Sequence, residues 1–134
     1  MKTYFFSLVS FLVLDFIWLG IIVKDFNLHQ LREIGRIENG EFKLSYVPAV
    51  LTYLLMALGV TLFVLPKISV EDSLWTTFMW GALLGFVVYG VFDMTNLAIL
   101  KNYPVAFIFM DMGWGTLMFG LVSVITRVLV NKLA

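Results

Sequence analysis

The chain has 134 residues, of which 61% are apolar and 13% charged, against about 25% charged in an ordinary soluble domain. That balance excludes a soluble globular fold and predicts one small integral membrane unit. The formal charge is zero with the basic residues dispersed, which points away from nucleic acid as a partner and toward the lipid bilayer. With no cysteine, disulfides, thiolate metal sites and thiol catalysis are excluded.

The first apolar run, residues 3–23, carries Asp15 in its middle and ends Ile21-Ile22-Val23-Lys24 without a small-x-small cleavage site. It is therefore expected to be an uncleaved span rather than a signal peptide. Residues 24–46 form the one long connection. Phe26, Leu31, Ile34 and Ile37 recur there at near-helical spacing, interrupted by Gly35 and Asn39-Gly40. Both a short interfacial helix and an irregular solvated loop fit that pattern. The second span is expected over 48–65, between Pro48 and Pro66. The third covers 74–100, entered through Glu71 and Asp72 with Ser73 as N-cap, and the fourth covers 104–130 from Pro104. In hydrocarbon every backbone amide must be paired internally, so four such runs predict an all-α, four-helix membrane bundle in a single domain.

An even number of spans puts both termini on side A and the long loop on side B. Lys2, Lys67, Arg127 and Lys132 lie on side A; Lys24, Arg32, Arg36, Lys43 and Lys101 lie on side B. Four against five sets no orientation.

The informative residues are the charges inside the spans, each costing about 2.5 to 3.5 kcal/mol at a helix centre on insertion scales. At a rise of about 1.5 Å per residue, Asp15 lies about 12 Å from the side B end of its helix and Asp93 and Asp111 about 9 Å from theirs. Three helices thus bring a carboxyl to nearly one depth, and no lysine, arginine or histidine shares it. Such a group must carry protons, hydrogen bonds or a bound cation.

The neighbours of these acids extend the pattern. Gly81, Gly85, Tyr89, Asp93 and Asn96 follow one face of the third helix, small at one end and polar at the other. The glycines suit close helix packing. Tyr53 sits at a comparable depth on the second helix, placed either to bring a phenol to the acids or to anchor the interface. Asp15 and Trp18 share a face, as do Asp111 and Trp114, and the two helices run in opposite directions. Trp114 is therefore level with Asp15, and Trp18 with Asp111. Reciprocal indole-to-carboxyl hydrogen bonds are expected if these helices are neighbours. His29 is the only histidine and has no partner ligands for an ordinary zinc site. There is no phosphate-binding loop, nucleophile elbow or dinucleotide fingerprint, and no cofactor or metal is indicated by motif.

The stretches Asp15-Phe16-Ile17-Trp18-Leu19-Gly20, Gly81-Ala82-Leu83-Leu84-Gly85-Phe86, Tyr89-Gly90-Val91-Phe92-Asp93-Met94-Thr95-Asn96-Leu97-Ala98, Pro104 and Asp111-Met112-Gly113-Trp114-Gly115 resemble the bacterial membrane-protein family of domain of unknown function 2177. The resemblance spans essentially the whole chain and is loose in the second helix and the loop. It implies a small four-helix protein of the bacterial cytoplasmic membrane and supplies no activity.

Three functions fit these residues. A binding or transport module would take a cation, a proton or an amine-bearing small molecule at Asp15, Trp18, Tyr53, Tyr89, Asp93, Asn96, Asp111 and Trp114, through a cavity opening toward side B. An accessory or structural protein would use the aspartates to cross-link helices in a dry core with every carboxyl paired. A lipid-modifying enzyme would need an opening to lipid beside the acids and an aspartate acting as general acid or base. A single four-helix unit is small for alternating access, and a homodimer would meet that objection.

Overall fold

A computed structural model describes residues 1–133 of the chain. Helix α1, Lys2–Ile17, continues through a widened π turn at Trp18–Ile22, and a short α2, Lys24–Gln30, follows. Two-residue strands β1, Ile37–Glu38, and β2, Glu41–Phe42, pair antiparallel with Ile37 opposite Phe42. Helix α3, Tyr46–Gly59, passes through a second π turn at Val60–Val64 and a 3₁₀ turn at Leu65–Lys67. Helices α4, Leu74–Ile99, and α5, Val105–Lys132, complete the bundle. Four helical stretches, Lys2–Ile22, Tyr46–Lys67, Leu74–Ile99 and Val105–Lys132, are long and apolar enough to cross a membrane. The protein is all-α apart from the small hairpin.

Local chemistry accounts for the boundaries. Ser73 caps α4 by accepting a hydrogen bond from the Thr76 amide at 3.1 Å, which satisfies one of the otherwise orphaned N–H groups of the first turn. Pro66 lies in the closing turn of the second span, where a helix cannot continue through the missing amide proton. Asn39 and Gly40 both adopt positive φ, 52° and 77°, as a two-residue hairpin turn requires. The long connection is thus part helix and part hairpin, and the helical part is shorter than the spacing of Phe26 to Ile37 implied. Leu31, just beyond α2, packs on a side B cluster of Tyr103, Phe107 and Ile108, and this anchoring ends the helix.

Helix α5 is the element on which the others assemble: 44% of its spanning window is buried, against 22%, 22% and 17% for the first three spans. It packs along α4 and against α1, α1 packs against α3, and α3 meets α4 through its Val60–Val64 turn. Absent side chains make the α4–α5 contact close. A Cβ on Gly81 would run into Ser123 Oγ, one on Gly85 into the Gly115 carbonyl oxygen, and one on Gly115 into the Tyr89 ring. In lipid, where association depends on packing rather than on expelling water, such approaches hold helices together.

The apolar core lies mid-bundle and toward side A, with Phe11, Ala57, Val60, Val64, Met118, Phe119 and Val122 essentially inaccessible. Phe11 and Phe119 meet edge-to-face at 4.8 Å. Toward side A, Ser7 and Thr126 bridge α1 and α5 through their hydroxyls at 3.2 Å. The Arg127 guanidinium clasps the entry to α4, donating to Thr77 Oγ1 at 2.6 Å and to the carbonyls of Asp72 at 2.7 Å, Ser69 at 3.1 Å, Ser73 at 3.1 Å and Val70 at 3.2 Å.

Candidate functional site

The acids lie in the side B half, above this core. Asp15 faces inward from α1, 4% exposed, and both its oxygens are engaged. Oδ2 accepts from the Tyr53 hydroxyl of α3 at 3.0 Å, and Oδ1 accepts from Trp114 Nε1 of α5 at 2.8 Å. One carboxyl therefore ties three helices. Tyr53 reaches inward to an acid, which resolves the choice between a phenol in the cluster and an interface anchor.

Asp93, fully buried on α4, is held differently. Its Oδ1 accepts from the Tyr103 hydroxyl at 2.8 Å, and that hydroxyl in turn lies 3.5 Å from the Asn96 amide nitrogen as acceptor. Asn102, at φ 59°, folds the turn between α4 and α5 back so that Tyr103 meets Asp93. Burial pushes the Tyr103 phenol up from its ordinary value, so it remains a donor through neutral pH. The second oxygen, Asp93 Oδ2, is buried with no donor among the described residues. The Asp93 carboxyl adjoins the Asp111 carboxyl from α5.

Asp111 is partly exposed, and its one polar partner among the described residues is the Asp93 carboxyl. Two acceptors facing each other cannot bond unless a proton or another positive group stands between them. Tyr89 lies between the two acidic positions, its ring against Gly115 and its phenol within the electrostatic reach of Asp15, Asp93 and Asp111. The hydroxyl of Tyr89 makes no hydrogen bond among the described residues.

The indoles meet only part of the reciprocal expectation. Trp114 bonds Asp15, but Trp18 does not bond Asp111. The Trp18 ring lies flat on Trp114, with centroids 4.4 Å apart and planes 8° from parallel. Trp18 keeps its helical spacing from Asp15, its N–H still bonding the Leu14 carbonyl, and its ring gains apolar contact in the flat stack in place of a second hydrogen bond.

Nor do the three acids form one centre. Asp15 is a satisfied single acid, whereas Asp93 and Asp111 form a pair. Among the described residues no three histidine, aspartate or glutamate side chains converge on a position for a metal ion. Two grooves on side B, of about 160 Å³ and about 510 Å³, are lined by loop residues including His29, Arg32 and Asn102, and Arg36, Glu38 and Lys43; neither is lined by the acids. Sequence reasoning missed Tyr103. The available signal was an aromatic residue directly before Pro104, in a turn only ten positions beyond Asp93.

Comparison with known proteins agrees with this architecture. No curated protein and no solved structure matches the chain. A family model described as "Predicted membrane protein (DUF2177)" matches residues 1–128, a stretch that includes every acid and aromatic side chain of the site. The chain accordingly belongs to this membrane-protein family of unknown function.

Proposed function

We propose that the protein binds a positive charge, a proton or a cation, between Asp93 and Asp111 in the side B half of a bacterial cytoplasmic membrane. One observation carries this reading: Asp93 Oδ2 is fully buried with no donor among the described residues, in a carboxyl that adjoins the carboxyl of Asp111. Leaving an acceptor unsatisfied in low dielectric costs about 1 to 3 kcal/mol, and more when it is charged. A shared proton or a small cation removes that cost. Trp18, Tyr53, Tyr89, Asn96 and Trp114 frame the site, and Asp15 supports it through its own hydrogen bonds. A homodimer belongs to the same reading, because one four-helix unit offers little room to move a ligand across the membrane; light scattering in detergent tests it.

Infrared spectroscopy of the purified protein tests the charge-binding reading. A protonated-carboxyl band is expected at neutral pH without added cation. It disappears in Asp93→Asn and in Asp111→Asn, and it weakens when a cation takes the proton's place. A spectrum without that band, unchanged by any cation, refutes the reading.

A second reading is favoured by a specific observation of its own. Asp15 joins α1, α3 and α5 through two short hydrogen bonds, as an acid serving as helix glue would. The two roles divide between residues: Asp15 supports the bundle, and the Asp93–Asp111 pair carries the ligand.

A further inference from the structure

The identity of the charged group follows from what the site lacks, and the argument rests on the charge-binding reading above. Among the described residues Asp93 Oδ2 is a buried acceptor without a donor, and neither the Asp111 carboxyl nor the neighbouring Tyr89 hydroxyl makes a hydrogen bond to an N–H or O–H group. Aromatic rings stand nearby: Tyr89, whose phenol is within electrostatic reach of both acids, and Trp114, one helical turn from Asp111 on α5, with Trp18 stacked on it.

One flank is also loosely closed. The first turns of α3 stand away from the bundle, with Tyr46 80%, Val47 71%, Val50 56% and Leu51 52% exposed. α3 approaches α4 only farther toward side A, through Val60–Val64 and where Leu84 rests on Gly59. In a bilayer that flank faces acyl chains rather than water.

These features discriminate among cations. A hard metal ion wants several oxygen ligands in fixed geometry, and no three acidic side chains converge here. A quaternary ammonium would suit the aromatic faces but has no N–H to offer the orphaned oxygens. A strongly hydrophilic amine would gain nothing from a flank open to lipid.

We propose that the Asp93–Asp111 pair takes a protonated primary or secondary amine with an apolar body, its N–H groups donating to the two carboxyls and its body lying against Tyr89 and the tryptophan stack. Binding exchanges charge for charge. The O–H bond of the proton held between the carboxyls breaks, that proton leaves to water, and the ammonium stands between two carboxylates. The titratable groups facing the pair are Asp15 on α1, Tyr89 on α4 and Tyr103 in the α4–α5 turn; none is cationic.

The probes are phenethylammonium, its N,N,N-trimethyl analogue, neutral phenethyl alcohol and sodium ion, titrated into the purified protein by calorimetry and tryptophan fluorescence, with proton release measured in weak buffer. Phenethylammonium is expected to bind saturably, at least about tenfold tighter than the trimethyl analogue, and to release a proton. Phenethyl alcohol sets the background of partition into the micelle. Binding is lost in Asp111→Asn and in Asp93→Asn, and retained in Asp72→Asn on the side A loop. Equal affinity for the trimethyl analogue overturns the donor argument. Displacement of the carboxyl band by sodium alone, without amine binding, overturns the ligand class and leaves the charge-binding reading standing. If the band is present and neither amine nor sodium changes it, the amine proposal falls and the charge held is a proton; if there is no band and neither has an effect, both fall.

Discussion

Asp15→Asn and Asp111→Asn are chemically identical substitutions in one bilayer half, and the structure predicts unequal effects on stability. At Asp15 the carboxyl meets two donors, Tyr53 Oη at 3.0 Å and Trp114 Nε1 at 2.8 Å. An amide keeps one acceptor oxygen, so one donor loses its partner or must turn, and the charge-assisted character of the other bond is lost. Hydrogen bonds to charged groups contribute about 1.5 to 3 kcal/mol, against an average of about 0.6 kcal/mol for polar pairs within bilayers. An intermediate loss of about 1 to 2 kcal/mol is expected. At Asp111 the amide puts its own N–H where the pair holds a proton, so Asp93 keeps a donor and stability changes by less than about 1 kcal/mol. The two variants should thus separate by about 1 to 2 kcal/mol, about five- to thirtyfold in the ratio of folded to unfolded protein. The assay is reversible unfolding in mixed micelles at neutral pH, followed by tryptophan fluorescence and far-ultraviolet circular dichroism. Equal destabilisation of both variants would refute the division between a satisfied structural acid and an unsatisfied ligand pair.

Three further outcomes follow from the same packing. Gly85→Ala forces a Cβ onto the Gly115 backbone and within 2.8 Å of Phe119 Cβ, so α4 and α5 must part at a cost of about 1 to 3 kcal/mol; Gly113→Ala, with nothing within 4 Å of its new methyl, should be neutral or slightly stabilising in the same unfolding assay. Arg127→Lys replaces a planar fork spanning five acceptors by a single ammonium, and trypsin should then cut after Lys67 faster than in the parent, while an unchanged rate would show that the clasp does not hold the loop. Hydrogen bonds from the Ser69 amide and hydroxyl hold Asp72 below its ordinary value of 3.8. Its contribution to the loop is therefore complete above that value and fades as pH falls through the lower folded one, so the Ser69 amide proton resonance should titrate with a midpoint below 3.8; a midpoint at or above it would contradict the bond.

The four spans, their ends and the depth of each acid are legible in the sequence, because hydrocarbon allows only paired backbone and a helix converts residue number into height at a constant rise. The same arithmetic put Trp114 level with Asp15, and the glycine stripe marked the face of α4 that meets α5. Height is one coordinate of three, however. Which helices are neighbours, and how each is rotated about its axis, depends on the whole set of side chains packing at once. Only the tertiary structure decided that Asp15 is satisfied by Tyr53 and Trp114 while Asp93 and Asp111 face each other without a donor. Likewise, packing laid Trp18 flat on its partner indole, and a left-handed Asn102 accompanies the return of Tyr103 onto Asp93; neither side-chain packing nor a single backbone departure leaves much trace in hydrophobic periodicity, although both set where each hydrogen bond ends.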